Sequence, residues 1–283
     1  MIDNPLDVIP RVAGHPAIER SLVSYFTAKH EAGVPIALVD DPQNPRVLFG
    51  HLGGWCRLAA SDPSVWPSVM EDLFRERVEQ SPPWPDPALV HDWENPRNDG
   101  ETSNGERGLF LDQAPLPAWE AAIAAGFQAT GDEEDNRNTA HIWAITGEPR
   151  FAHLVKHPCR LGKGHELKEL LMQGIHYDEK GEYTARCLDA GPSFVCEVDG
   201  LPVCWSCTHL SGAMGMIYTP EEHRRKGYAR SLAAFQIDTM LAMHGIAFCH
   251  ILDWNTASQE LVKGFGAEPN DEPLVWRGVA WPK

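Results

Sequence analysis

Between Thr219 and Leu232 the chain reads Thr-Pro-Glu-Glu-His-Arg-Arg-Lys-Gly-Tyr-Ala-Arg-Ser-Leu. Arg224-x-x-Gly227-x-Ala229 lies inside it, between an apolar run that ends at Tyr218 and a helical pattern that starts near Tyr228. A strand that turns into a helix here aims several unpaired backbone N–H groups at one point, and the start of a helix carries partial positive charge. A phosphate binds such a place readily. Gly227 leaves room for it, and the small Ala229 keeps the first turn open. Arg224, Arg225, Lys226 and Arg230 ring the spot with cations in a chain of net charge −16. The expected chemistry is the holding of a pyrophosphate. An ordinary surface turn with solvated basic residues would carry the same short motif, so the flanks must decide.

Those flanks, with Pro220-Glu221 before the loop and Leu232 after it, resemble motif A of the GNAT acyltransferase superfamily. Downstream, Asn255-Thr256-Ala257-Ser258-Gln259-Glu260-Leu261-Val262-Lys263-Gly264-Phe265-Gly266-Ala267 resembles the second signature of that superfamily. The resemblance implies an acyl-CoA, acetyl-CoA or a longer thioester, held by its pyrophosphate on Arg224, Arg225, Lys226, Gly227, Tyr228, Ala229 and Arg230. It also implies that the backbone of Met216, Ile217 and Tyr218 runs beside pantetheine like an added strand. Asn255 and Ser258 would sit near the other arm of the cofactor. Their alternative role is to cap the helix that follows, and the two roles are compatible.

A narrower similarity covers roughly residues 160–283. Gly200-Leu201-Pro202-Val203-Cys204-Trp205, Ser211-Gly212-Ala213-Met214-Gly215-Met216 and Thr219-Pro220-Glu221 resemble the glycine N-acyltransferase-like family. His250, five residues before Asn255, and Trp281-Pro282 fit the same pattern. This resemblance implies acyl transfer from CoA to the amine of a small molecule such as an amino acid. It also implies two GNAT-like halves, of which only the second holds the acyl-CoA in a V-shaped cleft.

The chain departs from that family at one position and from the wider superfamily at another, a loss that the glycine acyltransferases tolerate. The general base of the family is a Glu where this chain has Ala213, and the Tyr that often protonates the leaving thiolate in the wider superfamily falls at Val262. An amine attacks a thioester only when neutral, so some base must take its proton. Alternation along a strand would place His209 and Ser211 on the face of position 213, which makes His209 the first substitute. His250 and Asp253, at the end of the next strand, come second. Each histidine has a competing role as a surface or hydrogen-bonded core imidazole.

The elements that must position these groups follow from periodicity. A helix over 165–174, a hairpin of 193–198 and 201–207 about Asp199-Gly200, and a strand over 213–218 lead into the loop. A helix over 228–243, a strand over 246–252 and a helix over 256–264 follow it. The first half shows helices over 13–32, 66–80 and 116–125 and strands at 36–39, 47–50 and 141–145. A polar loop lies at 91–108 and an acidic turn at 131–136. The expected class is α/β (α+β), with an N-terminal unit over 1–155 and a cofactor-binding unit over 156–283.

Bulk properties narrow the function classes. The first 155 residues hold 11 Lys and Arg against 24 Asp and Glu, a balance that repels phosphate backbones and argues against a nucleic-acid partner. No apolar run reaches membrane-spanning length, and Met1-Ile2-Asp3-Asn4-Pro5 lacks the regions of a signal peptide, so a cytoplasmic protein is expected. The seven cysteines then read as reduced thiols. Cys204-Trp205-Ser206-Cys207 spells a metal or redox motif, yet it lies in a strand pattern, and no metal is expected. The rival readings are an acetyltransferase for protein or peptide amines and a module that binds coenzyme A without turnover.

Overall fold

The structure, a computed structural model, describes residues 4–27, 36–41, 43–52, 55–72, 108–130, 138–174 and 181–280. In chain order its first elements are α1 (Ile9–Val12), α2 (Pro16–Thr27), β1 (Ile36–Val39), β2 (Val47–Leu52), β3 (Trp55–Ala60), α3 (Trp66–Asp72), β4 (Gly108–Pro115), α4 (Leu116–Ala124), β5 (Gln128–Thr130) and β6 (Ala140–Thr146). Then come β7 (Cys159–Leu161), α5 (Lys168–Gly174), α6 (Glu182–Ala190), β8 (Ser193–Val198), β9 (Leu201–Thr208), β10 (Met214–Tyr218), α7 (Tyr228–His244), β11 (Ile246–Leu252), α8 (Thr256–Lys263), β12 (Glu268–Pro269) and β13 (Leu274–Ala280).

Of the described residues, those up to His141 and from Asp271 onward form one compact unit, and Ile142–Asn270 form the other. This differs from a division at 155/156, because each unit is completed by a strand from across that boundary. In the first unit β13 lies between β4 and β5, with Gly278 opposite Phe110 on one side and Thr130 on the other. In the second, β6 pairs with β11 and with β12, Trp143 standing opposite Pro269. An apolar alternating run announces a strand but not its partner, which is why the exchange is invisible in the sequence.

In the first unit β1, β2 and β3 form an antiparallel meander, and β3 pairs parallel with β4. Side-chain alternation splits the core in two. Leu48 and Ala59 pack with Ile9, Val12 and Leu22, whereas Val47, Phe49 and Leu58 pack with Trp66, Met70 and Ala118. Buried Arg57 donates to Ser21 Oγ at 2.8 Å and lies over the Tyr25 ring.

In the second unit β7, β8, β9 and β10 form an antiparallel sheet. The β8–β9 turn places Asp199 (φ 52) and Gly200 (φ 78) in the left-handed region, as a two-residue hairpin requires. One face carries Phe194, Cys196 and Cys204 against Leu232, Ile237 and Met240 of α7. The other carries Val195, Trp205 and Cys207 against Leu171, Tyr183 and Leu188 of α5 and α6. Leu232 and Ile237 are fully buried, worth about 1.5–3 kcal/mol each. Ser206 Oγ donates to Gln236 Oε1 at 3.0 Å and ties β9 to the same helix.

Most expected elements of this unit occur. The helix placed at 165–174 opens as a 3-10 turn over Gly164–Leu167 before α5. Helix α6 and strands β3, β4, β7 and β13 were not expected. The ends of the helices placed at 13–32 and 66–80, the loop at 91–107 and the turn at 131–136 lie outside the described residues, as do Trp281-Pro282.

Candidate functional site

The site begins at an irregularity in β10. Gly215 stands opposite Cys207 and Tyr218 opposite Trp205, so β10 holds one residue more than β9 between them, and Met216 takes a φ of 52°. Such a bulge bends the strand, and Met216 and Ile217 have no register partner in β9. Strand β11 runs beside β10 but belongs to the other ladder, so the two neighbours share no hydrogen-bonded register. Met216 is buried, whereas Ile217 and Tyr218 are half-buried.

The loop after β10 carries the second feature. A 3-10 turn over Glu221–His223 leads to extended Arg224, and Arg225 (φ 59) and Gly227 (φ 87) are both left-handed. Gly227 is the N-cap of α7 and brings no side-chain hydrogen bond; Ser231 N–H makes the first bond of the helix, to Gly227 O at 3.0 Å. Among the described residues, no protein acceptor meets the backbone N–H groups of Arg225, Lys226, Gly227, Tyr228, Ala229 and Arg230. Consecutive free donors at the positive end of a 17-residue helix are an arrangement that favours an anion.

The four cations are not equivalent. Arg224 Nε donates to Thr219 O at 2.9 Å and its guanidinium lies over the Tyr218 ring. Lys226 Nζ donates to Glu222 O at 2.9 Å, and Arg230 lies over the Phe265 ring. These contacts hold the loop and the start of the helix in shape. Arg225 is exposed and is committed to no such contact among the described residues.

Asn255 Oδ1 accepts from Ser258 N at 3.2 Å, which makes Asn255 the N-cap of α8. The capping role expected as an alternative is therefore realised, and Ser258 supplies its backbone N–H to it.

Strand parity between 209 and 213 does not hold. His209 N donates to Ala213 O and Gly212 N to His209 O, both at 2.8 Å, so 209–213 is the tight turn between β9 and β10. Ala213 is fully buried and faces no cleft. His209 nevertheless meets β10, because a Cβ built on Gly215 would strike its ring at Nε2. Nδ1 of His209 lies 2.9 Å from the phenol oxygen of Tyr183 on α6. Desolvation pushes the imidazole pKa down to about 4, so the ring is neutral near pH 7. Of the other two, His250 packs edge-on against Phe248 in β11, and Asp253 is exposed just beyond it, its carbonyl accepting from Gln259 Nε2.

Two residues that contact the candidate site were not singled out by sequence. Tyr183 sits in a helix whose pattern is short and polar. His157 Nε2 lies 3.1 Å from Lys226 O across 69 positions of chain. Neither has a local signal.

Cys204 and Cys207 belong to cores on opposite faces of the sheet, so the pair cannot chelate. Burial pushes the Cys204 thiol up to about 12. Among the described residues no three His, Cys, Asp or Glu groups converge as a metal set.

The first unit has its own strand–turn–helix, from β3 into α3, but with opposite chemistry. There Asp62 Oδ1 accepts from Ser64 N at 2.9 Å, so a carboxylate caps the turn, and hydrogen bonds from Ser64 lower its pKa. A negative cap repels a second anion.

Residues 200–274 match a family model described as FR47-like protein. No curated protein matches the sequence. Among solved structures, the chain is similar to a tandem GNAT protein from the clavulanic acid biosynthesis pathway, at 14% identity and a TM-score of 0.54, covering 98% of this chain and 94% of that one. A GCN5-related N-acetyltransferase from Sphaerobacter thermophilus shares 10% identity at a TM-score of 0.50, over 93% and 85% of the two chains. A Drosophila protein shares 16% identity at 0.50, over 83% and 73%. The chain has the GNAT fold. No described helix is long and apolar enough to cross a membrane.

Proposed function

We propose that the protein is an acyl-CoA-dependent N-acyltransferase acting on the amine of a small molecule of the amino-acid class. The run of unbonded N–H groups from Arg225 to Arg230, at the uncapped start of α7, carries this reading. It is a ready receptor for a pyrophosphate, and the edge of β10, the last strand of its sheet, is a ready receptor at the bulge of Met216 and Ile217 for the amide-bearing pantetheine arm. The solved tandem GNAT protein and the FR47-like match support the same co-substrate. The resemblance of the 200–221 segments to the glycine N-acyltransferase-like family supports the acceptor class.

In the proposed reaction the neutral amine attacks the thioester carbonyl carbon, a C–N bond forms, and the C–S bond breaks to leave coenzyme A as thiolate. Backbone donors at the β10 bulge would stabilise the developing oxyanion. His209, oriented by Tyr183, would take the proton of the amine directly or through water, with His250 and Asp253 as the alternatives at the end of β11. Burial keeps the ring in its unprotonated, base form near pH 7, and its low pKa makes it a weak base.

A thiol-release screen of the purified protein tests the proposal, crossing acetyl- and longer acyl-CoAs with amino acids, polyamines and peptide amines. Release that depends on an amino acid supports it. Release only with peptide amines moves the acceptor class, and tight CoA binding without release for any amine leaves a binding module.

A further inference from the structure

His157 lies in the connection that precedes β7, outside every element of the proposed cofactor site, yet it touches three consecutive residues of the loop. Its Nε2 is 3.1 Å from the carbonyl oxygen of Lys226. A Cβ built on Gly227 would stand 3.6 Å from the same nitrogen. Its ring meets Tyr228 edge-on, with centroids 4.5 Å apart. A carbonyl oxygen only accepts, so Nε2 carries the proton and donates.

The choice of carbonyl matters. In a helix that began one residue earlier, Lys226 O would accept from Arg230 N–H, four residues on. Here it accepts from His157, α7 starts after Gly227, and among the described residues no bond from Arg230 N–H is recorded. The C=O of a trans peptide points opposite to the N–H that follows it. Holding Lys226 O against His157 therefore turns the Gly227 N–H away from the ring, toward the side free for a ligand. Arg225 and Gly227 hold left-handed backbones, which cost a non-glycine residue free energy, and this bond helps to hold the loop there.

We infer that His157 is a positioning residue for the phosphate-binding loop: it occupies the Lys226 carbonyl from outside, and so keeps the Gly227 and Arg230 N–H groups open to an anion. The inference rests on the reading that this loop holds the pyrophosphate of an acyl-CoA.

The test uses the full chain and two variants. His157→Phe keeps a ring against Tyr228 but donates nothing; His157→Gln keeps a donor at similar reach. Calorimetric titration with coenzyme A should give a dissociation constant about tenfold weaker for His157→Phe, and near wild type for His157→Gln. In wild type, the Gly227 amide should show one of the largest proton NMR shifts when coenzyme A is added, a readout that needs no variant. His157→Phe binding coenzyme A as tightly as wild type, or a Gly227 amide that does not respond, overturns the inference while leaving the cofactor reading intact. A wild-type protein that does not bind coenzyme A at all sinks the cofactor reading, and this inference with it.

Discussion

The phenol oxygen of Tyr183 lies 2.9 Å from Nδ1 of His209, a contact that joins α6 to the turn between β9 and β10. It fixes the imidazole beside Gly215, at the strand where the proposed thioester would lie. Burial keeps that imidazole uncharged. Two consequences follow, one for stability and one for turnover.

An unfolded imidazole takes up its proton at about 6.5, whereas His209 in the native protein does so only near about 4. Between these values the unfolded chain binds more protons. Stability contributed by the neutral ring is therefore complete above the upper value and is lost as pH falls through the window. The loss reaches at most about 3 kcal/mol. Urea unfolding of wild type should show this acid-side decline, and His209→Asn should flatten it. Equal slopes in the two proteins would mean that His209 is not held neutral.

If His209 handles the amine proton, His209→Ala should lower turnover roughly 10²–10⁴-fold while leaving coenzyme A affinity unchanged. Tyr183→Phe should lower it less, because the ring stays in place without its orienting partner. Steady-state kinetics together with calorimetry separate the two effects. A fully active His209→Ala would pass the role to His250 or Asp253.

Ala213→Glu should not restore a base. Ala213 is fully buried in a closed turn, so a carboxylate there is desolvated without a partner. We expect a stability loss of roughly 3 kcal/mol or more by denaturant unfolding, and no gain in rate. A stable, faster variant would show that position 213 reaches the cleft.

The strand exchange makes a definite statement about fragments. Residues 156–283 lack β6, which lies between β11 and β12, and carry β13, whose partners are β4 and β5. That fragment should fail to unfold cooperatively, whereas 138–270, which keeps β6 and omits β13, should give a cooperative thermal transition. Circular dichroism melts decide between them; a cooperative 156–283 would argue against the exchange.

The sequence announced the loop, α7, β11 and α8 almost to the residue, because each has a local signal: the basic run with Gly227, a 17-residue apolar periodicity, an alternating strand and an Asn cap. What it missed depends on contacts between distant residues. Nothing near Tyr183 foretells His209, and nothing near His157 foretells Lys226. Parity led His209 onto the face of position 213, but a tight turn at 209–213 interrupts the strand there. Likewise the cation count at 224–230 was legible, while the local duties of Arg224, Lys226 and Arg230 appear only when Thr219, Glu222 and Phe265 come into place.

The central claim is that the loop from Arg224 to Arg230 receives the pyrophosphate of coenzyme A, and Gly227 tests it most directly. Its left-handed backbone (φ 87) disfavours any side chain, so Gly227→Ala reports the strain alone and Gly227→Glu adds a negative charge at the anion site. Calorimetric titration of coenzyme A into the three folded proteins should show binding to wild type, weaker binding to Gly227→Ala and none measurable to Gly227→Glu. Binding to Gly227→Glu as tight as to wild type would contradict the account.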